Sequence, residues 1–132
     1  MIRGKIRNKT FSSQTRDFSG LVFGKISPTD IDAFLEFNDI LFVFIESKFH
    51  GAKIPYGQKL AFERLTRAVH QPPHRHCYFL LCEHFCEAEK DIDFANLNII
   101  SVYFNGSWKP DKRTALEFIK SAVSFHLGGI TE

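Results

Sequence analysis

The stretch FVFIESKF, Phe42 to Phe49, decides how the rest of the chain is read. Alternation puts Phe42 and Phe44 on one face and Val43 and Ile45 on the other, so the segment predicts a strand buried on both sides. Glu46 and Lys48 then interrupt the face that Phe42 and Phe44 begin. A carboxylate and an ammonium at the inner end of a buried strand cost free energy unless something compensates them. What they face therefore matters more than where they fall.

Immediately upstream, after the punctuation of Pro28, DIDAFLEF (residues 30 to 37) alternates acidic or mixed residues with Ile31, Ala33, Leu35 and Phe37. This is strand periodicity. Asn38 and Asp39 make a turn, and the next strand runs from Ile40 to Phe49, so the two strands form a hairpin. The hairpin register decides whether Asp30, Asp32, Phe34 and Glu36 share a face with Glu46 and Lys48. A tight two-residue turn sets Asp32 opposite Ile45 and sends the acids to the other side. A three-residue loop or one bulge is expected to set Asp30 opposite Glu46, with Asp32 diagonal to it.

Further out, LVFGKI (21 to 26) has a strand pattern, and KTFSSQTRDF (9 to 18) suits a short helix ended by Gly20. Downstream, QKLAFERLTRAVH predicts a helix with Leu60, Ala61, Leu65 and Ala68 on its apolar face, closed by the prolines of QPPH. Strands follow at 77–81 and 97–104. NGSWKP turns the chain, and DKRTALEFIKSAVSFH makes a closing helix with Asp111 as its cap. The expected fold is α/β, a small mixed sheet flanked by helices. It is one domain of 132 residues: a basic N-terminal arm or helix (1–20), a core (21–104) and the closing helix (110–127).

Apolar residues make up 44% of the chain and fifteen residues are Phe, which is the composition of a globular domain with an aromatic core. The net charge of +2 is too small to argue for nucleic acid. Its distribution says more, because residues 1 to 76 carry twelve basic and seven acidic side chains and the remainder five and eight. Arg3, Lys5, Arg7 and Lys9 suit a phosphate backbone and equally an ordinary solvated arm. No segment resembles a signal or a membrane span, and three cysteines do not make a disulfide framework. The expectation is a soluble, cytoplasmic protein with no membrane partner.

If the acids and Glu46 do share a face, carboxylates and a lysine converge between apolar walls. Like charges held that close raise one another's pKa. A divalent cation, Mg²⁺ or Mn²⁺, resolves the conflict, taking a few carboxylates and leaving its other positions to water and phosphate oxygens. Lys48 could then orient or deprotonate a water, or stabilise charge on a phosphate.

The order acid, turn, apolar strand, Glu-x-Lys and a helix opening with Gln resembles the PD-(D/E)xK nuclease superfamily, here as SPTDIDAFLEF, FVFIESK and GQKLAFERL. The resemblance covers roughly residues 20 to 104, with about five specific positions. It implies a restriction-endonuclease-like core of helix, three strands, helix and strand, and hydrolysis of phosphodiester bonds, in DNA, with Mg²⁺ or Mn²⁺. By it, Asp32 and Glu46 are the metal ligands, Lys48 the catalytic lysine and Gln58 the helix glutamine near the site. Asp30 is the runner-up metal acid. Many members carry a Glu on the first helix. This chain has none before Glu36, and Asp17 is the acid available in its place.

The arrangement is also similar to small phage-encoded nuclease-like and resolvase-like proteins, which implies a bacterial or phage-infected host cell. Arg3, Lys5, Arg7, Lys9, Arg16, Lys53 and Lys59 are then candidate contacts to nucleic acid. With no appended recognition domain, action is expected to be structure-selective or partner-guided. A homodimer could form through the apolar last helix, which carries Leu116, Phe118, Ile119, Val123 and Phe125. The rival is a non-catalytic module that keeps the fold to bind nucleic acid or protein.

Two further features stand apart. His70, His74, His76, Cys77, Cys82, His84 and Cys86 are dense enough to suggest Zn²⁺, but their spacing is poor for a structural site, and Cys77 and Cys82 fall inside an apolar strand. Trp108 beside Lys109, if exposed, would suit stacking on an unpaired base.

Overall fold

The computed structural model describes residues 16 to 87 and 90 to 128. Five strands form one sheet in sequence order: β1 (Ala33–Phe37), β2 (Leu41–Phe49), β3 (His76–His84), β4 (Asn98–Phe104) and β5 (Ser107–Pro110). β2 and β3 are parallel, joined through helix α1 (Tyr56–Val69), and the other neighbours are antiparallel. Helix α2 (Ala115–Leu127) follows β5. The mixed α/β reading is therefore borne out.

Each face of the sheet has its own core. Leu41, Val43 and Ile45 of β2 join Leu80, Cys82, Ile99, Val102 and the inner side of α2 (Ala115, Phe118, Ala122, Val123). Phe44, Cys77, Phe79 and Tyr103 on the opposite face receive Phe62 of α1, whose ring stacks on Phe79 at 4.3 Å. At roughly 1.5–3 kcal/mol for each large side chain removed from water, these two clusters are the main favourable term of folding.

The buried face of α1 is not the expected one. Phe62 and Thr66 are buried, Leu65 and Val69 pack beside them, and Ala68 is exposed. The aromatic side chain buries more area than the alanines, and the Thr66 hydroxyl donates to the Phe62 carbonyl at 2.8 Å, which satisfies it in place.

LVFGKI is not a strand. Residues Ser19–Leu21 form a 3-10 turn, and Phe23 and Ile26 bridge only each other around Gly24, at φ 64°. Leu21, Val22, Phe23 and Ile26 are exposed. The proposed helix at 9–18 lies mostly outside the described residues. NGSWKP is a hairpin as well as a turn, since Asn105 and Gly106 both take positive φ and so join β4 to β5. Thr114, not Asp111, caps α2: it accepts from the Glu117 backbone N–H while Glu117 reaches back to the Thr114 N–H. Asp111 pairs instead with Arg113 at 2.7 Å.

Candidate acidic site at the end of strand β2

The hairpin loop sets the parity of the site. Asn38 and Asp39 both take positive φ (53° and 61°), the Ile40 N–H closes on the Phe37 carbonyl at 2.9 Å, and Phe37 pairs with Leu41. Three residues therefore separate the paired positions, one more than in a tight turn. That extra residue brings the even-numbered side chains of β1 and β2 to the same face, and the Phe34 ring stacks on Phe44 at 4.8 Å. Arg75, just before β3, clamps the turn with two 2.9 Å bonds to the Asp39 carboxylate.

Counting back from the last ladder pair, Ala33 with Ile45, puts Asp32 level with Glu46. The sequence expectation of Asp30 opposite Glu46 is corrected: a three-residue loop moves the register the other way, and Asp30 is an exposed residue ahead of β1. The Ser47 N–H donates to Asp32 Oδ2 at 2.8 Å, and the Asp32 N–H approaches Glu46 Oε1 at 3.3 Å.

Glu46 is the centre of the arrangement. It is 3% exposed. Its Oε2 faces Lys48 Nζ at 3.1 Å and receives the Gln58 side-chain amide at 3.5 Å. Gln58 arrives from the first turn of α1, which follows the loop after β2. Burial pushes the Glu46 carboxyl above the usual glutamate range, the Asp32 charge pushes it the same way, and the Lys48 ammonium only partly offsets them. Asp32, Glu46, Lys48 and Gln58 are thus brought together from the residue just ahead of β1, from β2 and from α1. One buried and one exposed carboxylate oxygen set, still short of positive charge, suits a hard divalent cation whose other ligands are water and phosphate.

Among the described residues, no group of three or more His, Cys, Asp or Glu side chains is arranged to hold a metal. Asp17 sits in a local turn, accepting from the Ser19 N–H at 2.9 Å, and that bond holds its carboxyl below the ordinary range. Arg3, Lys5, Arg7 and Lys9 lie outside the described residues. Arg16 and Lys53 are exposed. Lys59 lies over the Trp108 ring at 5.4 Å, and the indole N–H donates to Glu63 at 2.6 Å. Trp108 is half-buried against Tyr103 and Phe79, so the exposure that stacking on a base would require is not met.

The Cys and His residues are dispersed. Cys77 belongs to the α1 face and Cys82 to the α2 face, and burial pushes both thiols up to about 12. His70 accepts from the Cys77 N–H, and His76 stacks on His126 at 4.0 Å.

Two residues that the sequence reading passed over border the site. Parallel pairing sets Glu83 of β3 beside Lys48 on the same face, and Glu83 Oε2 lies 2.9 Å from His50 Nδ1. His50 was legible in part, because it continues the Glu46, Lys48 alternation. Glu83 was not, because the register of a parallel pair joined by a helix is not written in either strand.

Comparison of the chain with protein-family models, with curated proteins and with solved structures gives no match. Among the described residues, no helix is long and apolar enough to cross a membrane.

Proposed function

We propose that the protein is a metal-dependent nuclease that hydrolyses phosphodiester bonds in DNA, selecting its substrate by structure or through a partner. The observation that carries this reading is the convergence on buried Glu46 of Asp32, Lys48 and Gln58, achieved by a hairpin loop of odd length. The resemblance to the PD-(D/E)xK superfamily, and within it to small phage-type or resolvase-like members, supports the same reading. A second copy of the chain would complete the nucleic-acid surface.

Asp32 and Glu46 would hold Mg²⁺ or Mn²⁺, which supplies Lewis-acid polarisation of the phosphodiester. The chain's own residues do the rest. Lys48, ion-paired with Glu46, places positive charge where negative charge grows on the phosphate. Gln58 holds the Glu46 carboxylate in orientation through its amide. Phe34 stacks on Phe42 and Phe44, so an aromatic strip runs along the same face up to Asp32 and Glu46.

The test is cleavage of labelled linear duplex, single strand, flap and four-way junction with Mg²⁺, with Mn²⁺ and with chelator, using wild type beside Glu46→Ala. Metal-dependent cutting that the variant lacks is the expected result. No cutting of any substrate by wild type would turn the reading to the non-catalytic binding module.

A further inference from the structure

The rings on the α1 side of the sheet form a run that begins in the core and ends in the open. Phe62 of α1 stacks on Phe79 of β3 at 4.3 Å, Phe79 on Phe44 of β2 at 6.0 Å, and Phe44 on Phe34 of β1 at 4.8 Å, with interplanar angles of 24°, 25° and 18°. Phe62, Phe79 and Phe44 are buried. Phe34 is 53% exposed, and β1 is the edge of the sheet, so among the described residues no strand covers the side of its ring turned away from Phe44. Packing on Phe44 and Phe42 fixes the ring, so a planar ligand would settle on a surface already ordered.

This open ring lies beside the acidic site. Phe34 is the register partner of Phe44, and Asp32 and Glu46 are the next same-face positions, about 6.6 Å along. A ligand seated on both places carries a flat ring one such step from an anionic oxygen that a cation on Asp32 and Glu46 would hold, which is the make-up of a nucleotide. One ring face is too small an area for a protein interface. A base inside a duplex is covered on both sides by its neighbours, whereas an unpaired strand offers its base faces to an aromatic side chain.

We propose that Phe34 is the stacking platform for an unpaired base next to the scissile phosphate, so that the substrate is single-stranded at the cut. This rests on the nuclease reading and gives its structure selectivity a cause. Every base has a π-face, so the platform carries no sequence preference of its own.

The test uses wild type, Phe34→Leu and Phe34→Tyr on labelled single strand, flap and linear duplex, with single-turnover cleavage read in Mg²⁺ and affinity read by fluorescence anisotropy in Ca²⁺. A second series places one abasic nucleotide at successive positions of the single strand. Wild type should cut single strand and flap at least about tenfold faster than duplex. Phe34→Leu stays apolar but loses the ring, and should bind single strand about 5–100-fold more weakly while its affinity for duplex stays the same. Phe34→Tyr should behave as wild type. An abasic nucleotide beside the cut should weaken wild type as much as the leucine substitution does, and should weaken Phe34→Leu no further.

Wild-type affinity for single strand in Phe34→Leu, or an abasic loss of equal size in wild type and Phe34→Leu, overturns the platform while metal-dependent cutting keeps the nuclease reading. Wild type that cuts nothing, yet loses single-strand affinity on Phe34→Leu, overturns the nuclease reading and keeps the platform. Wild type that neither cuts nor binds overturns both.

Discussion

The two faces of strand β2 are built from one nine-residue segment to different ends. Toward α2, Leu41, Val43 and Ile45 are apolar and buried, and they join the larger of the two core clusters. Toward α1, the side chains pass from the rings of Phe42 and Phe44 to Glu46 and Lys48, and a carboxylate that is 3% exposed sits beside that of Asp32, the residue just ahead of β1. The first face is ordinary core packing. The second holds a charge that burial disfavours, which a fold selected for stability alone would replace with an apolar residue.

Substitutions on the two faces should therefore separate stability from activity. The largest effect expected is from deleting Leu35 within β1. With Phe37 still paired to Leu41, each residue before the deletion moves one position along the strand, so Asp32 would face Ile45 in place of Glu46 and Phe34 would leave Phe44. Cleavage should vanish, and the melting transition should fall or lose cooperativity. Unchanged activity would mean that the hairpin register does not build the site.

Lys48→Ala should come next, lowering the cleavage rate by about 10²–10³-fold, the cost of removing one group that stabilises transition-state charge. Its thermal transition should stay close to wild type, because the Lys48 side chain is partly solvated. Leu41→Ala on the other face should show the reverse, losing about 2–5 kcal/mol in denaturant titrations while the folded protein still cuts. Equal loss of activity in both variants would dissolve the distinction between the faces.

A subtler contrast comes from Glu46→Gln. The folded carboxyl is raised by burial, so the stability carried by its protonated form is fully present below the ordinary glutamate value, about 4.3, and is lost as pH rises through the raised value. Glutamine mimics the protonated form. The variant should melt above wild type at neutral pH, and the gap should close as pH falls below about 4. The smallest effect belongs to Arg75→Ala, which removes the clamp on the hairpin turn. Asp39 is held below its ordinary range by that arginine, so the slight loss of stability should be present at neutral pH and fade as pH falls below about 4.

Much of this was readable in the chain because it depends on local chemistry. The alternation around Glu46 and Lys48, the turn at Asn38 and Asp39, and the need for an odd loop all follow from period 2 and turn residues. Which acid meets Glu46 depended on the count of loop residues, where the reading slipped. Most of the failures share one cause, which is that packing and pairing decided them. LVFGKI has strand composition but pairs with no other strand among the described residues, and Gly24 folds it back on itself. The α1 face was set by where Phe62 could stack, and Glu83 reached the site through a register that β3 acquires only after a helical crossover. The capping box at Thr114 and Glu117 is the exception: it was present in the sequence, and Asp111, three residues earlier, drew the cap assignment away from it.

The most direct test of the central claim is a thermal melt at neutral pH, with and without Mn²⁺, of wild type and Glu46→Gln. A cation held by Asp32 and Glu46 in the folded state should raise the wild-type transition in a concentration-dependent way. The variant should start higher and respond little, so the order of the two curves narrows or reverses as Mn²⁺ is added. A wild-type transition that ignores Mn²⁺, or a variant that shifts as much as wild type, would contradict the assignment of these carboxylates as the metal site.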